Sequence, residues 1–336
     1  MDVLVAGPPG PMLRWTSALV AAAVATVHPA VEHACAGDSW TPRDPPEQKA
    51  AARVMTAHQV SETHAAAIRA GAVRAVLVLD RPGCCYGEPR AAGHAPVPAL
   101  RHLVACATPL GDLATCPGAL ILARDGERNA GQILPALADH VGLALEGSAL
   151  AGLSARFGIA GPRTALDEAL LRCEPPEAVP PVLSPEDEAM ARAVLAPAFG
   201  YGATGTRLEV VWPRDCLFWG DRPNDGPPPR IIDITGRARN LVYGPYFPLA
   251  PGRWRMGATL AFSASARGAR LALSLFGPDN FGGCRFTVER AGVFAAAAMV
   301  TVPSSRAPAE IRLALEQGAI EGKLGLDGIT FTPEPG

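Results

Sequence analysis

The chain has 336 residues, of which 49% are hydrophobic and 18% charged, with a formal net charge of -2 at pH 7. That size accommodates two ordinary domains with well-filled cores and excludes a largely disordered polypeptide. The near-neutral balance leaves no basic stripe for a nucleic-acid backbone, so nucleic acid is not expected as a partner.

The opening stretch, MDVLVAGPPGPMLRWTSALVAAAVATV, admits two readings. As a secretory leader, Arg14 would be the basic start, Ala18 to Val27 the apolar run and Ala34-Cys35-Ala36 the cleavage site. Against this, Asp2 is acidic, the apolar residues begin at Val3, and His28, Pro29, Glu32 and His33 interrupt the approach to the site. The run is also too short to span a bilayer, and no other stretch offers a membrane helix. As part of a fold, Val3 to Ala6 is a buried parallel strand, Gly7 to Pro11 a turn and Leu13 to Ala25 a helix. Mononucleotide-binding folds open in this way, because the turn's N–H groups and the helix N-terminus hold a phosphate.

Further apolar runs follow in a βα rhythm at Arg53 to Ala57, Ala75 to Leu79 and Ala119 to Ala123, while Ile133, Leu137 and Val141 fall at helical spacing. This alternation predicts an α/β domain with a parallel sheet over residues 1–173. Clustered prolines from Pro175 to Pro185 then mark a linker over 174–205. Within it, Ser184 as N-cap, Pro185 at the first helical position and acidic residues in the first turn predict a short helix.

From Thr206 the period changes to two. Trp254, Met256, Ala258, Leu260 and Phe262 share one face, as do Leu271, Leu273 and Leu275, and Ile311, Leu313 and Leu315. With further runs at 208–212, 231–234, 285–289, 297–302 and 328–332, this predicts an all-β, jelly-roll-like sandwich over 206–334. Eight cysteines (Cys35, Cys84, Cys85, Cys106, Cys116, Cys173, Cys216, Cys284) show no CxxC spacing, so no zinc site or disulfide framework is signalled and a cytoplasmic location is expected. The pair Cys84 and Cys85 reads as small apolar residues ahead of a redox pair.

A nucleotide-hydrolysing loop needs glycine, lysine and a hydroxyl residue where Met12, Leu13 and Arg14 stand, so ordinary ATP or GTP hydrolysis is not expected. The pattern resembles another P-loop branch, the sulfotransferases that use 3'-phosphoadenosine 5'-phosphosulfate (PAPS). "PGPMLRW" from Pro9 to Trp15 occupies the place of their proline-lysine-serine-glycine-threonine-threonine-tryptophan loop and keeps the proline and tryptophan. "VMTAHQ" is similar to their lysine-threonine-histidine segment, "AVLVLDRP" to the strand before the 3'-phosphate ligands, and "GALILARDGERNAGQILPALADHVGLAL" to a later strand, acidic loop and helix. The resemblance implies PAPS or adenosine 3',5'-bisphosphate (PAP) as cofactor, Pro9, Gly10, Arg14, Trp15 and Arg81 as its contacts, and His58 as general base.

The departures fall on the ligands themselves. Gly10, Pro11 and Met12 replace the loop's lysine, serine and glycine, Leu13 and Arg14 its threonines. The 3'-phosphate arginine aligns with Asp80, one step from Arg81, and a later serine with Glu88. Two carboxylates beside a phosphate pocket repel it, whereas Arg14 and Arg81 are suited to compensate. Asp125, Glu127 and Arg128 read as an exposed loop.

In the second domain the densest polar and aromatic stretch is "DITGRARNLVYGPYFPLAPGRWR". It resembles β-sandwich segments attached to bacterial glycosyltransferases and other polysaccharide-assembly proteins, with a glycine-proline-tyrosine turn. Asp233, Arg237, Arg239, Asn240, Tyr243 and Tyr246 are its candidate ligand-binding residues, since aromatic faces pack against sugar C–H surfaces while charged and amide groups bond hydroxyls. Trp254, in phase with the apolar face, belongs to the core. Asp221, Asn224 and Asp225 suit an Asx-rich turn ahead of a calcium site, so no metal is expected.

The expectation is a protein of polysaccharide biosynthesis that pairs a degenerate sulfotransferase-like domain with a carbohydrate-binding-like sandwich and binds a glycan or partner. Two alternatives stay open. One is an active PAPS-dependent sulfotransferase acting on a glycan hydroxyl, with His58 as base and Arg14 and Arg81 as replacement ligands. The other is a secreted β-sandwich binder whose residues 1–36 are a leader.

Overall fold

The computed structural model describes residues 1–35, 52–126, 129–173 and 182–335. In chain order it contains β1 (Asp2–Ala6), α1 (Pro11–Val27), β2 (Val31–Cys35), β3 (Ala52–Ala57), α2 (Glu62–Arg69), β4 (Arg74–Leu79), α3 (Pro82–Ala91), α4 (Pro96–Ala107), β5 (Ala119–Ala123), α5 (Ala130–Val141), α6 (Gly147–Arg156), α7 (Leu166–Cys173) and α8 (Pro185–Thr204). Strands follow: β6 (Val210–Pro213), β7 (Phe218–Trp219), β8 (Ile231–Asp233), β9 (Arg239–Pro248), β10 (Gly252–Phe262), β11 (Arg270–Phe276), β12 (Asn280–Thr287), β13 (Gly292–Val302), β14 (Pro308–Leu315) and β15 (Lys323–Pro333). Glu127, Arg128, Ala36 and the first part of the expected linker, 174–181, lie outside the described residues.

The chain forms two compact units: Met1–Gly93 with Pro109–Leu183 and Tyr201–Gly205, and His94–Thr108 with Ser184–Gly200 and Thr206–Gly336. The first is a parallel sheet in the order β2-β3-β1-β4-β5. Residues 2–6, read above as either leader or first strand, are its central strand, and the adjoining helix α1 packs Leu13, Leu19, Val20 and Val24 onto Val3, Val5, Val54, Val76 and Val78. Leu4, Met55 and Leu77 point the other way and are 0% exposed, so both sheet faces are covered, as a parallel sheet requires. Helix α5 completes the layer beside α1. Its Asn129 and Gln132 form a reciprocal capping box, and it ends on Gly142 in the left-handed conformation.

The second unit is the expected antiparallel sandwich. One sheet runs β13-β10-β15-β6 with β8 also on β15, the other β12-β11-β14-β9-β7. The three period-two stripes are its inner faces, every one of their apolar side chains being 7% exposed or less. Trp254 is in that core, its indole N–H bonded to the Ala250 carbonyl at 2.9 Å.

Four features depart from the sequence reading. The helix begun at Ser184 and Pro185 runs 20 residues, because alanine, methionine and leucine carry it well past the capped first turn. The glycine-proline-tyrosine segment is a bulge within β9, not a turn: Ala309 faces Phe247 and Glu310 faces Pro245, which leaves Tyr246 unmatched. Strand β7 was not foreseen, since two residues carry no readable period. Helix α4, inside the stretch assigned to the α/β domain, belongs to the second unit, where it packs on β9.

Gly7, the first residue after β1, donates its N–H to the Ala57 carbonyl, and a Cβ there would stand 2.0 Å from the Val78 carbonyl oxygen. Because the obstacle is backbone, Gly7→Ala is expected to destabilise the first unit by about 1–3 kcal/mol, measured as a lower urea midpoint with unchanged slope.

Candidate functional site

Parallel sheets bind ligands beyond the carboxyl ends of their strands, where the strand order reverses. Here β3 and β4 flank β1, and the residues that leave the strand ends are Gly7 after β1, His58 after β3, Asp80 after β4 and Arg124 after β5. The N-terminus of α1 stands among them. Its N-cap is Gly10, extended and without a side-chain cap, and proline occupies the first turn. The cap comes instead from β4: the Asp80 Oδ2 accepts the Met12 backbone N–H at 2.9 Å from 68 residues away.

That carboxylate is the first link of a chain of charges. Asp80 Oδ1 accepts the Arg81 backbone N–H at 2.7 Å and the Arg124 Nη1 at 2.8 Å. Arg124 Nε donates to Asp167, and Asp167 also receives Arg81 Nη1, both at 2.8 Å. Arg81 Nε closes the series on Asp125 at 2.7 Å. The Asp80 side chain is 1% exposed and that of Arg124 11%. Burial pulls the Arg124 guanidinium down, yet its bonds to Asp80 and Asp167 win and raise it. Burial pushes the Asp167 carboxyl up, but Arg124 and Arg81 together hold it below its ordinary value.

The sequence-predicted donor residues therefore separate. Gly10 caps α1, and a Cβ on it would lie 3.1 Å from the Cys85 sulfur and 3.4 Å from Asp80 Oδ2. Pro9 is half-buried in the turn, and His58 is exposed at the end of β3. Arg14 reaches Glu88 at 2.7 Å, so two groups that sequence alignment placed at the phosphate are joined to each other. Trp15 is buried, edge-on to Phe157 with its N–H on the Phe157 carbonyl, and faces the core. Arg81 points to Asp125 and Asp167, while Asp80 faces the turn. A donor phosphate does not fit these residues: a buried carboxylate stands at the helix head, and three aspartates outnumber the two arginines around it. Neither Cys84 nor Cys85 is in a disulfide, and burial pushes the Cys84 thiol up.

In the second unit the predicted ligand cluster divides in two. Arg239 forks onto Asp221 and also donates to the carbonyls of Asp233, Ile234 and Arg237. Asp233 caps the Thr235 N–H at 2.8 Å, so these residues brace the turn before β9, with Arg237 and Asn240 exposed beside it. Further along β9, Tyr243 and Tyr246 join Phe218 of β7 in a half-buried aromatic shelf, with ring centroids 5.4 Å (Phe218 to Tyr243), 6.2 Å (Phe218 to Tyr246) and 6.5 Å (Tyr243 to Tyr246) apart. Two backbone features set it. A Cβ on Gly244 would lie 2.5 Å from the Phe218 ring, and the bulged Tyr246 has φ 69°, a conformation rare outside glycine. Burial and the hydrogen-bonded Glu310 carboxylate raise the Tyr246 hydroxyl, and Glu310 in turn takes both arms of Arg312 at 3.2 and 3.0 Å. Arg101 of α4 lies over Tyr246 and Phe218, at 5.2 and 5.9 Å, and donates Nε to the Pro245 carbonyl.

Sequence reasoning missed Arg124, Asp167, Arg101, Phe218 and Glu310. A lone arginine inside the apolar helix "PVPALRHLVACA" was the one available signal for Arg101. Among the described residues no cluster of metal-ligating side chains is present, and no helix is long and apolar enough to cross a membrane.

The two units are thus an α/β domain with a parallel sheet and an antiparallel β-sandwich. No family model and no curated protein matches the sequence. Among solved structures, a mouse sulfotransferase complexed with PAP is similar over 56% of this chain and 80% of its own, at 12% identity and a TM-score of 0.35. The carbohydrate-binding module CBM36 in complex with calcium and xylotriose is similar over 37% of this chain and 99% of its own, at 20% identity and a TM-score of 0.24. A CBM4 structure matches 29% of this chain at 13% identity and a TM-score of 0.23, and the chain covers 61% of that module.

Asp80→Ala strips a buried guanidinium and a helix head of their shared anion. A loss of about 3–5 kcal/mol is expected in denaturant unfolding, with part of it restored by sulfate in the variant and not in the wild type. For Asp167, whose folded-state pKa is depressed, the stabilisation is present above the ordinary carboxylate pKa and is lost as pH falls through the folded value. Acid unfolding is therefore expected to be shallower in Asp167→Asn than in the wild type below about pH 4, followed by circular dichroism.

Proposed function

We propose that this chain is a glycan-binding protein whose first unit keeps a sulfotransferase-like fold but transfers no sulfuryl group. The observation that carries the reading is the Asp80 carboxylate at the head of α1. A phosphate-binding helix offers its first N–H groups and positive dipole end to the ligand. Here the chain supplies its own anion from β4 and ties it to Arg124, while Arg14 and Arg81, the cations suited to replace the missing lysine, are held by Glu88, Asp125 and Asp167. The binding role falls to the second unit, whose Phe218, Tyr243 and Tyr246 shelf presents half-buried rings on a braced strand. Such rings take up the C–H face of a sugar and leave its hydroxyls to neighbouring polar groups.

Two titrations of the full chain test the two halves of the proposal. With PAP at millimolar concentration, no rise in melting temperature is expected. A ligand at a hundredfold excess over its dissociation constant would add about 2.7 kcal/mol to the folded state, so a clear rise overturns the loss of the donor site, and sulfate transfer that disappears in His58→Ala establishes the transferase. With polysaccharides, binding is expected in the wild type and about tenfold weaker in Tyr243→Ala, the loss of one ring face. Absence of binding to a broad glycan panel overturns the receptor role.

A further inference from the structure

Arg101 differs from five arginines around the two sites and, being half-buried, from the exposed Arg237. Arg14, Arg81, Arg124, Arg239 and Arg312 each face a carboxylate within hydrogen-bond distance. Arg101 has none among the described residues: its polar contact is the Nε bond to the Pro245 carbonyl at 3.1 Å, and its guanidinium otherwise meets the Tyr246 and Phe218 rings. Burial pulls its pKa down, and the partner that works against this is the Tyr246 hydroxyl. A cation taken part of the way out of water without an anion keeps an unmet demand for one. Arg101 as a whole is half-buried, not enclosed.

The position of this fork is set by the fold. Its Nε is pinned by Pro245, on the bulged segment of β9, and its guanidinium lies against two aromatic faces, so the bond from Nε leaves the two Nη groups as its remaining donors. That geometry matches the two oxygens of a carboxylate or two of a sulfate ester, the bidentate contact in which arginine is strongest. Tyr243 stands beside it, with its ring centroid 6.5 Å from that of Tyr246, and offers a sugar ring an apolar face next to the charge. The nearest acid on the shelf, Glu310, is already engaged by both arms of Arg312 and by the Tyr246 hydroxyl, so it does not cancel the charge of Arg101.

We propose that Arg101, laid on Tyr246 and Phe218 beside Tyr243, makes the second unit a receptor for acidic glycans, taking the carboxylate of a uronic acid or a sulfate ester while the adjoining ring takes the sugar face. This rests on the glycan-binding reading above and names its substrate class.

Calorimetric titration of the full chain with oligogalacturonate, sulfated dextran and neutral dextran, with polyglutamate as a non-sugar polyanion, tests it. One or both acidic glycans are expected to bind at least tenfold more tightly than neutral dextran and polyglutamate, with affinity falling as salt rises, and the stronger of the two tells carboxylate from sulfate ester. Arg101→Gln is expected to abolish the preference for acidic over neutral dextran, and Arg101→Lys, which keeps the charge and loses the fork, to retain only a minor part of it. Melting temperature and circular dichroism verify folding. If either variant fails to fold, the wild type carries the test: sodium sulfate is expected to compete with the acidic glycans more strongly than sodium chloride at equal ionic strength, and equal competition overturns the site. Equal binding of acidic and neutral dextrans overturns the charge selectivity and leaves the glycan reading standing. Equal binding of polyglutamate overturns the sugar component, and absence of any glycan binding overturns both proposals.

Discussion

The first unit is organised around a carboxylate placed where a helix ordinarily receives a ligand. Asp80 receives the Met12 N–H at the N-terminus of α1, and the same side chain anchors Arg124. The turn from Gly7 to Pro11 lacks any side-chain cap of its own, so the helix head would be left with unpaired N–H groups in a crowded place without it. Once that anion is internal, the surrounding cations become structural: Arg124 and Arg81 bind aspartates that in turn fix the ends of β4, β5 and α7. The head of α1 is thereby a fixed joint between strand ends and helix.

The second unit solves the reverse problem. Its core is filled by alternate apolar residues from both sheets, and its polar turn before β9 is closed upon itself by Arg239 and Asp221. What remains open is the stretch where the regular alternation of β9 fails. The extra residue at Tyr246 breaks the pairing with β14, turns the ring out of phase and brings it to Phe218 and Arg101. Open aromatic surface and an arginine with no carboxylate among the described residues thus arise from one local irregularity.

The legible parts of the sequence were those governed by period and by local caps. The parallel strands at Val3, Arg53, Ala75 and Ala119, the capped helix start at Ser184 and the stripe from Trp254 to Phe262 all follow from neighbours in the chain. The sites were harder because they depend on residues far apart in sequence. Nothing near Asp80 announces that its carboxylate will reach Met12, and the sequence did not decide whether Asp80 or the adjacent Arg81 faces the turn. Arg14, read in the donor loop, and Glu88, read at the 3'-phosphate position, were not foreseen as partners, yet they pair with each other. Within the predicted ligand cluster, Tyr243 and Tyr246 fell on the shelf, whereas Asp233 and Arg239 brace a turn, since charged residues near a hairpin serve backbone and ligand with the same hydrogen bonds. Phe218 sits on a two-residue strand and Arg101 on a helix of the other half of the sequence, where no local pattern links either to β9.

The placement of α4 bears on how the chain is made. It lies in sequence between β4 and β5 of the first sheet, yet it folds against β9 of the second unit. As the polypeptide leaves the ribosome, the first sheet can acquire all its strands while this helix still lacks β9, the strand it packs on. The two units are therefore interleaved in the order of their birth, and cutting the chain at its proline-rich middle would hand one fragment a helix that belongs to the other.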